Sequence, residues 1–296
     1  MKAPTYLRTK DTVGIISTAR KISMEEITPA IHLLNSWELT YKIGQSIGVE
    51  DHQYAGSDKE RAIDLQRMLD DPEVKAIWCA RGGYGTVRIL DLINFSKFLE
   101  QPKWIIGYSD ITVLHSHLQN FGVETLHATM PINVGKNTKE AIQSLKKALF
   151  GREFKIEIPP SELNRPGTCE GVLVGGNLSI LYSLLGSPSA IDTKGKILFI
   201  EDLDEYLYHT DRMMMNLKRN GYLDQLAGLV VGGFTDMKDN TIPFGKNAHQ
   251  IILDAVKEFG YPVCFNFPAG HLDDNRALRF GKKYMLKVKE NRVVLK

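Results

Sequence analysis

The chain has 296 residues, of which 43% are hydrophobic and 24% charged, and its formal net charge is +2. That length suits one large domain or two smaller ones, and the balanced charge excludes an extended basic footprint for nucleic acid. No apolar run approaches the ~18 residues that span a bilayer, and the N-terminus lacks a signal-peptide pattern, so no membrane partner is expected. The three cysteines, Cys79, Cys169 and Cys264, are too scattered for a disulfide framework or a Cys-based metal site. Cys79 and Cys264 lie in apolar runs and read as small buried hydrophobes, which fits a cytoplasmic location.

In chain order, "TVGIIS" reads as a first strand, and "SMEEITPAIHLLNSW" as a helix whose Ser23 and Glu26 have capping-box spacing. "LTYKIG" is a second strand, and "SDKERAIDLQRMLDD" a helix that repeats the capping signature at Ser57 and Glu60. "VKAIWCA" leads into "RGGYGTVRILDLI", and "KWIIGYS" into "DITVLHSHLQNF". Continuous apolar strands alternating with helices predict an α/β domain built on a parallel sheet. The helix "TKEAIQSLKKALFG" closes this block, and the proline-rich "IPPSELNRPGT" that follows is the best linker in the chain. The second half carries "CEGVLVGGNLSILYSLLG", "GKILFIEDLDE", "TDRMMMNLKRNG", "LAGLVVGGF" and a closing strand pair, "KYMLKVKENRVVLK". The expected organisation is an N-terminal α/β domain over 1–155, a linker over 156–167, and a C-terminal α+β domain over 168–296.

Four windows carry chemistry. Ser109 stands where an apolar strand turns into a helix, the context of a nucleophile elbow, although Ile111 occupies the place of the second glycine in G-x-S-x-G. The alternative is that Ser109 or Asp110 only caps that helix. The glycine pair after Arg81 lacks the third glycine of a dinucleotide fingerprint, and no Gly-Lys-Ser/Thr follows it. It is either a tight turn or a donor of backbone N–H groups to an oxyanion. A third window, "ILFIEDLDE", delivers Glu201 and Asp202 at a strand end, with Glu205 a competitor for the role of an acid that orients a histidine. In the fourth, "FNFPAGHLDDN", His271 is the best placed of eight histidines to act as a base, with His127 the runner-up. His115 and His117, two residues apart on one helix, do not face each other and form no metal pair. No His, Asp and Glu set has metal-ligand spacing, and no cofactor is expected.

With these windows in the order Ser, Glu, His, the chain resembles the LD-carboxypeptidase family of serine peptidases, which also contains microcin C self-immunity proteins. The resemblance lies in "AGSDKERAIDLQRMLDDPEVKAIWCARGGYGTVRIL", "IIGYSDITVL", "LVGGNLSIL", "ILFIEDLDE", "DRMMMNLKRNG" and "AGHLDDNRAL". It implies metal-free cytoplasmic homodimers that cleave the amide between an L-centre and a terminal D-amino acid, usually in a murein tetrapeptide during cell-wall recycling. It further implies Ser109 as nucleophile, Glu201 as the acid and His271 as the base, with the oxyanion bound by backbone amides at Gly83 and Asp110. Arg81, beside the glycine pair, is a candidate receptor for the substrate's carboxylate, or else a structural salt bridge.

The chain departs from the family pattern at "STAR" (Ser17–Arg20), at "LHATMP" around His127 and at Arg279–Phe280, all in segments that can shape a substrate cleft. Two rivals follow. One is an immunity peptidase that cleaves peptidyl- or aminoacyl-nucleotides, for which "DMKDNTIPFG" offers Phe244 and no tryptophan to stack on a base. The other is a non-catalytic muropeptide-binding protein, which would have no chemical need for all three of Ser109, Glu201 and His271.

Overall fold

The computed structural model describes residues 1–296. The N-terminal half supplies five strands: β1 (Thr12–Ile16), β2 (Thr40–Ile43), β3 (Val74–Cys79), β4 (Trp104–Gly107) and β5 (Thr125–His127). The rest supplies β6 (Ile156–Ile158), β7 (Gly167–Asn177), β8 (Ile197–Leu203), β9 (Gly228–Thr235), β10 (Val263–Cys264), β11 (Leu278–Phe280), β12 (Lys283–Lys289) and β13 (Arg292–Leu295).

The first sheet has the order β11-β5-β4-β3-β1-β2, parallel from β5 to β2. Its central strands are apolar and buried because helices cover both faces; Ile15, Ala76 and Trp78 pack on one side, Ile16, Ile77 and Cys79 on the other. Both expected capping boxes are made: the Ser23 hydroxyl accepts the Glu26 N–H of helix Met24–Ser36, and Ser57 accepts that of Glu60 in helix Asp58–Asp70.

The second sheet has the order β10-β9-β8-β7-β12-β13-β6 and is mixed. Strands β7 to β10 run parallel, as βαβ crossovers require, and β12, β13 and β6 add an antiparallel meander.

Two features differ from the expected organisation. The first three residues of the expected linker, Ile156–Ile158, are not linker but an edge strand on β13, because Ile156 and Ile158 bury their side chains in the core of the second sheet. And β11, far along the C-terminal half, pairs antiparallel with β5 of the first sheet. Leu278 and Phe280 thereby enter one apolar cluster with Leu173, Phe199 and Val230, which joins the two sheets. No helix is long and apolar enough to cross a membrane.

Candidate active site

The site begins where β4 ends. Buried Tyr108 follows Gly107, and Ser109 then adopts φ 63°, a left-handed conformation that is costly for a residue with a Cβ. A single 3-10 turn, Ser109–Ile111, passes directly into helix Thr112–Asn120. This strained strand–turn–helix corner presents the half-buried Ser109 to a cleft. Ser109 is not a helix cap, since its hydroxyl accepts no N–H of the helix. Asp110 does not cap it either: its Oδ2 accepts the Thr86 N–H at 2.8 Å and so ties the glycine loop to the corner.

That loop presses on the serine. A Cβ placed on Gly82 would stand 2.9 Å from Ser109 Cβ, 3.0 Å from its Oγ and 3.4 Å from the Asp110 N. Only glycine lets the backbone of the Gly82–Gly83 segment approach both the hydroxyl and the Asp110 amide.

β8 delivers Glu201, whose side chain is fully buried. The pairing of β8 with β9 slips at this point: Ile200 faces Val231, and Asp202 faces Phe234. The irregularity falls at Gly232 and Gly233, where the neighbouring loop comes close enough for the Gly233 N–H to bond Ala269 O at 3.0 Å. This loop carries His271 to Glu201. Glu201 Oε2 lies 2.6 Å from His271 Nδ1 and also accepts the His271 backbone N–H at 3.2 Å. Gly270, at φ 103°, is required here, because a Cβ on it would stand 2.7 Å from the Glu201 side chain.

The competing residues make other contacts, although Glu205 also lines the cleft that Ser109 and His271 share. Glu205 pairs with His209 at 2.6 Å. His127 is fully buried behind the acid, with Nε2 4.0 Å from Glu201 Oε1. His115 is scaffold: one ring nitrogen bonds Thr125 Oγ1 at 2.8 Å, the other Gly107 O at 2.9 Å, just ahead of the serine corner. Arg81 forms an ion pair with Glu26 at 3.6 Å and donates to Lys21 O at 3.3 Å.

Electrostatics separate the two partners. Burial pushes the Glu201 carboxyl upward, but His271 and His127 outweigh it and hold Glu201 at about 2. Burial pulls the His271 imidazole down, and the Glu201 carboxylate more than reverses this, leaving it raised. Asp202, also buried at the cleft, is pushed up to about 7 by burial and by the Glu201 charge, despite accepting from Asn177 Nδ2 at 2.8 Å and Ser179 N at 2.9 Å.

Ser109 and His271 line one cleft of about 500 Å³, together with Gly82, Gly83, Arg20, Arg81, Asn177 and Asp202. No direct hydrogen bond joins Ser109 Oγ to His271 in this arrangement; such bonds are often long before substrate binds. Two cleft residues, Asn177 and Arg20, went unrecognised from sequence. Asn177 was hidden as an ordinary helix N-cap, whereas the departure at Ser17–Arg20 was the available sign of Arg20.

A hydroxyl on a strained elbow, a loop of backbone amides and a carboxylate-held histidine define a hydrolase-type α/β site. Family models agree: residues 13–128 match the LD-carboxypeptidase N-terminal domain and residues 170–286 the LD-carboxypeptidase C-terminal domain. The chain belongs to the LD-carboxypeptidase family. It is 38% identical over 302 residues to a probable murein peptide carboxypeptidase of Bacillus subtilis, covering 99% of this chain and 93% of the relative. It is 27% identical to the murein tetrapeptide carboxypeptidase of Pseudomonas aeruginosa, covering 93% of this chain and 92% of that one. Among solved structures, the muramoyltetrapeptide carboxypeptidase of Oxalobacter formigenes superposes with a TM-score of 0.87 at 26% identity, over 96% of this chain and 97% of that one. The microcin C7 self-immunity protein MccF, in complex with aspartyl sulfamoyl adenosine, shares the fold at a TM-score of 0.87 and 20% identity, over 99% of this chain and 97% of that one.

Proposed function

We propose that the protein is a serine-type LD-carboxypeptidase that releases a terminal D-amino acid from a murein tetrapeptide. The observation that carries this is the 2.6 Å contact of a fully buried carboxylate with a histidine that shares a cleft with a serine at φ 63°. The names of the relatives, murein peptide and murein tetrapeptide carboxypeptidase, support the substrate.

In the first step His271 accepts the Ser109 proton as Oγ attacks the carbonyl of the penultimate residue. Glu201 holds the Nδ1–H tautomer, so that Nε2 carries the lone pair, and stabilises the imidazolium without taking up the proton. The amides of Gly83 and Asp110 receive the developing oxyanion, each donor being worth about 3 kcal/mol. His271 then protonates the leaving amine, and water activated by the same histidine hydrolyses the acyl-enzyme. In this assignment the N-terminal domain supplies the nucleophile and the oxyanion loop, and the C-terminal domain supplies the acid and base.

The peptide reading is favoured over cleavage of peptidyl- or aminoacyl-nucleotides because Tyr108, packed edge-on against His271, is the one Phe, Tyr or Trp lining the cleft, and Phe244 packs instead on the core of the second sheet. A muropeptide-binding protein without activity would have no use for a strained serine beside a charge-paired histidine. The proposal includes a cytoplasmic homodimer, as the family resemblance implies. Incubation with murein tetrapeptide and, separately, an aminoacyl-nucleotide analogue tests it by mass analysis: released D-alanine supports it, and cleavage of the nucleotide conjugate alone overturns it.

A further inference from the structure

An exopeptidase has to recognise a free terminal carboxylate, and in the substrate that group lies three bonds from the scissile carbonyl carbon. Its receptor therefore has to flank the oxyanion loop. Two guanidinium side chains line the cleft, those of Arg20 and Arg81. Arg81 is already engaged by the Glu26 carboxylate and the Lys21 carbonyl. Arg20 is exposed, and neither an ion pair nor a side-chain hydrogen bond within the protein occupies it.

The placement of Arg20 is built into the loop. The Ser17 hydroxyl donates to Arg20 O at 2.6 Å, and the Arg20 N–H donates to Gly82 O at 3.4 Å, so the arm starts from a fixed backbone. Its stem then lies across Gly83, at φ 109°, where any Cβ would collide with Arg20 Cγ and Cδ. The glycine pair thus does two things: Gly82 admits Ser109, and Gly83 admits the arginine.

We propose that Arg20 is the receptor for the substrate's terminal carboxylate and thereby sets the exopeptidase specificity of the cleft. The assignment rests on the hydrolytic function proposed above. A guanidinium binds a carboxylate through two parallel N–H donors, geometry that an ammonium does not reproduce. Carboxylate pairing beside Gly83 would hold the scissile carbonyl against the loop amides.

The test compares a tetrapeptide ending in a free carboxylate with the same peptide as its C-terminal amide, for wild type, Arg20→Ala, Arg20→Lys and Arg81→Ala. Wild type is expected to favour the acid by about 100-fold or more in kcat/KM, as sites that pair a polar substrate group do. Arg20→Ala should collapse that ratio by at least about 30-fold, and Arg20→Lys should restore only part of it. Arg81→Ala should retain the preference. An undiminished acid preference in Arg20→Ala, or its collapse in Arg81→Ala alone, overturns the assignment. Binding of both peptides to Ser109→Ala, measured by calorimetry, reads the same preference without turnover. Failure of the hydrolytic function would appear separately, as wild type leaving the tetrapeptide uncleaved.

Discussion

Glu201 grips His271 twice, through Nδ1 at 2.6 Å and through the backbone N–H at 3.2 Å, both on Oε2. The second contact fixes the loop as well as the ring, so the carboxylate holds both the imidazole and its backbone in place. Because Glu201 is on β8 and His271 follows β10, the pair also fastens the loop to the centre of the second sheet.

Removing the charge while keeping the shape should therefore impair chemistry far more than folding. Glu201→Gln is expected to lower kcat by roughly 10³-fold or more, in line with triads that lose the orienting acid. Glu205→Gln, which breaks only the pair with His209, should change kcat by less than about 3-fold. Steady-state kinetics of the two variants, with thermal melts to confirm folding, decide between them.

The pH profile follows from the same pair. His271 has to be neutral to accept a proton, and Glu201 holds its pKa above the ordinary histidine value of about 6.5. The acid limb of kcat/KM should inflect above that value, and in Glu201→Gln the inflection should move down in pH. Stability responds with opposite signs for the two groups. The raised His271 stabilises the fold below its unfolded pKa, a contribution lost as pH rises through the folded value. The lowered Glu201 stabilises it above its unfolded pKa, a contribution lost as pH falls toward about 2. Chemical-denaturation curves at several pH values, compared between wild type and Glu201→Gln, measure the second effect.

Gly82→Ala tests the close approach of the glycine loop to Ser109. The new Cβ would lie 2.9 Å from Ser109 Cβ, so the corner or the loop has to move by a few tenths of an ångström. The expected result is a loss of kcat of at least about tenfold, since small misplacements at reacting groups are costly. A crystal structure of the variant should show the displacement.

His127 distinguishes a base from a buried neighbour. It reaches Glu201 at 4.0 Å from inside the core rather than from the cleft. His271→Asn should abolish turnover, whereas His127→Asn should retain measurable turnover with a lowered melting temperature, because its ring fills space beside Tyr108, Phe199 and Phe280. Parallel assays of the two variants check this.

The sequence made the local elements legible. Capping boxes at Ser23 and Ser57, the apolar runs of β1, β3 and β4 and the turn of Ser109 are all governed by residues within a few positions of one another. Motif order then made the association of Glu201 with His271 readable, even though 70 residues separate them. What stayed hidden depends on distant partners. Ile156–Ile158 looks like linker until β13 covers it, and the three residues of β11 carry no sign that their partner is β5. Arg81 stands out in the sequence because it precedes the glycine pair, and Arg20 does not; the ion pair of Arg81 with Glu26 and the packing of Arg20 on Gly83 exist only after folding.

The most direct test of the proposed chemistry is release of D-alanine from murein tetrapeptide by Ser109→Ala, measured against wild type at equal concentrations of folded protein. The hydroxyl removed is the proposed attacking group, so release should fall to background while the melting temperature stays within a few degrees. Undiminished release by the folded variant would contradict the assignment of Ser109 as the nucleophile.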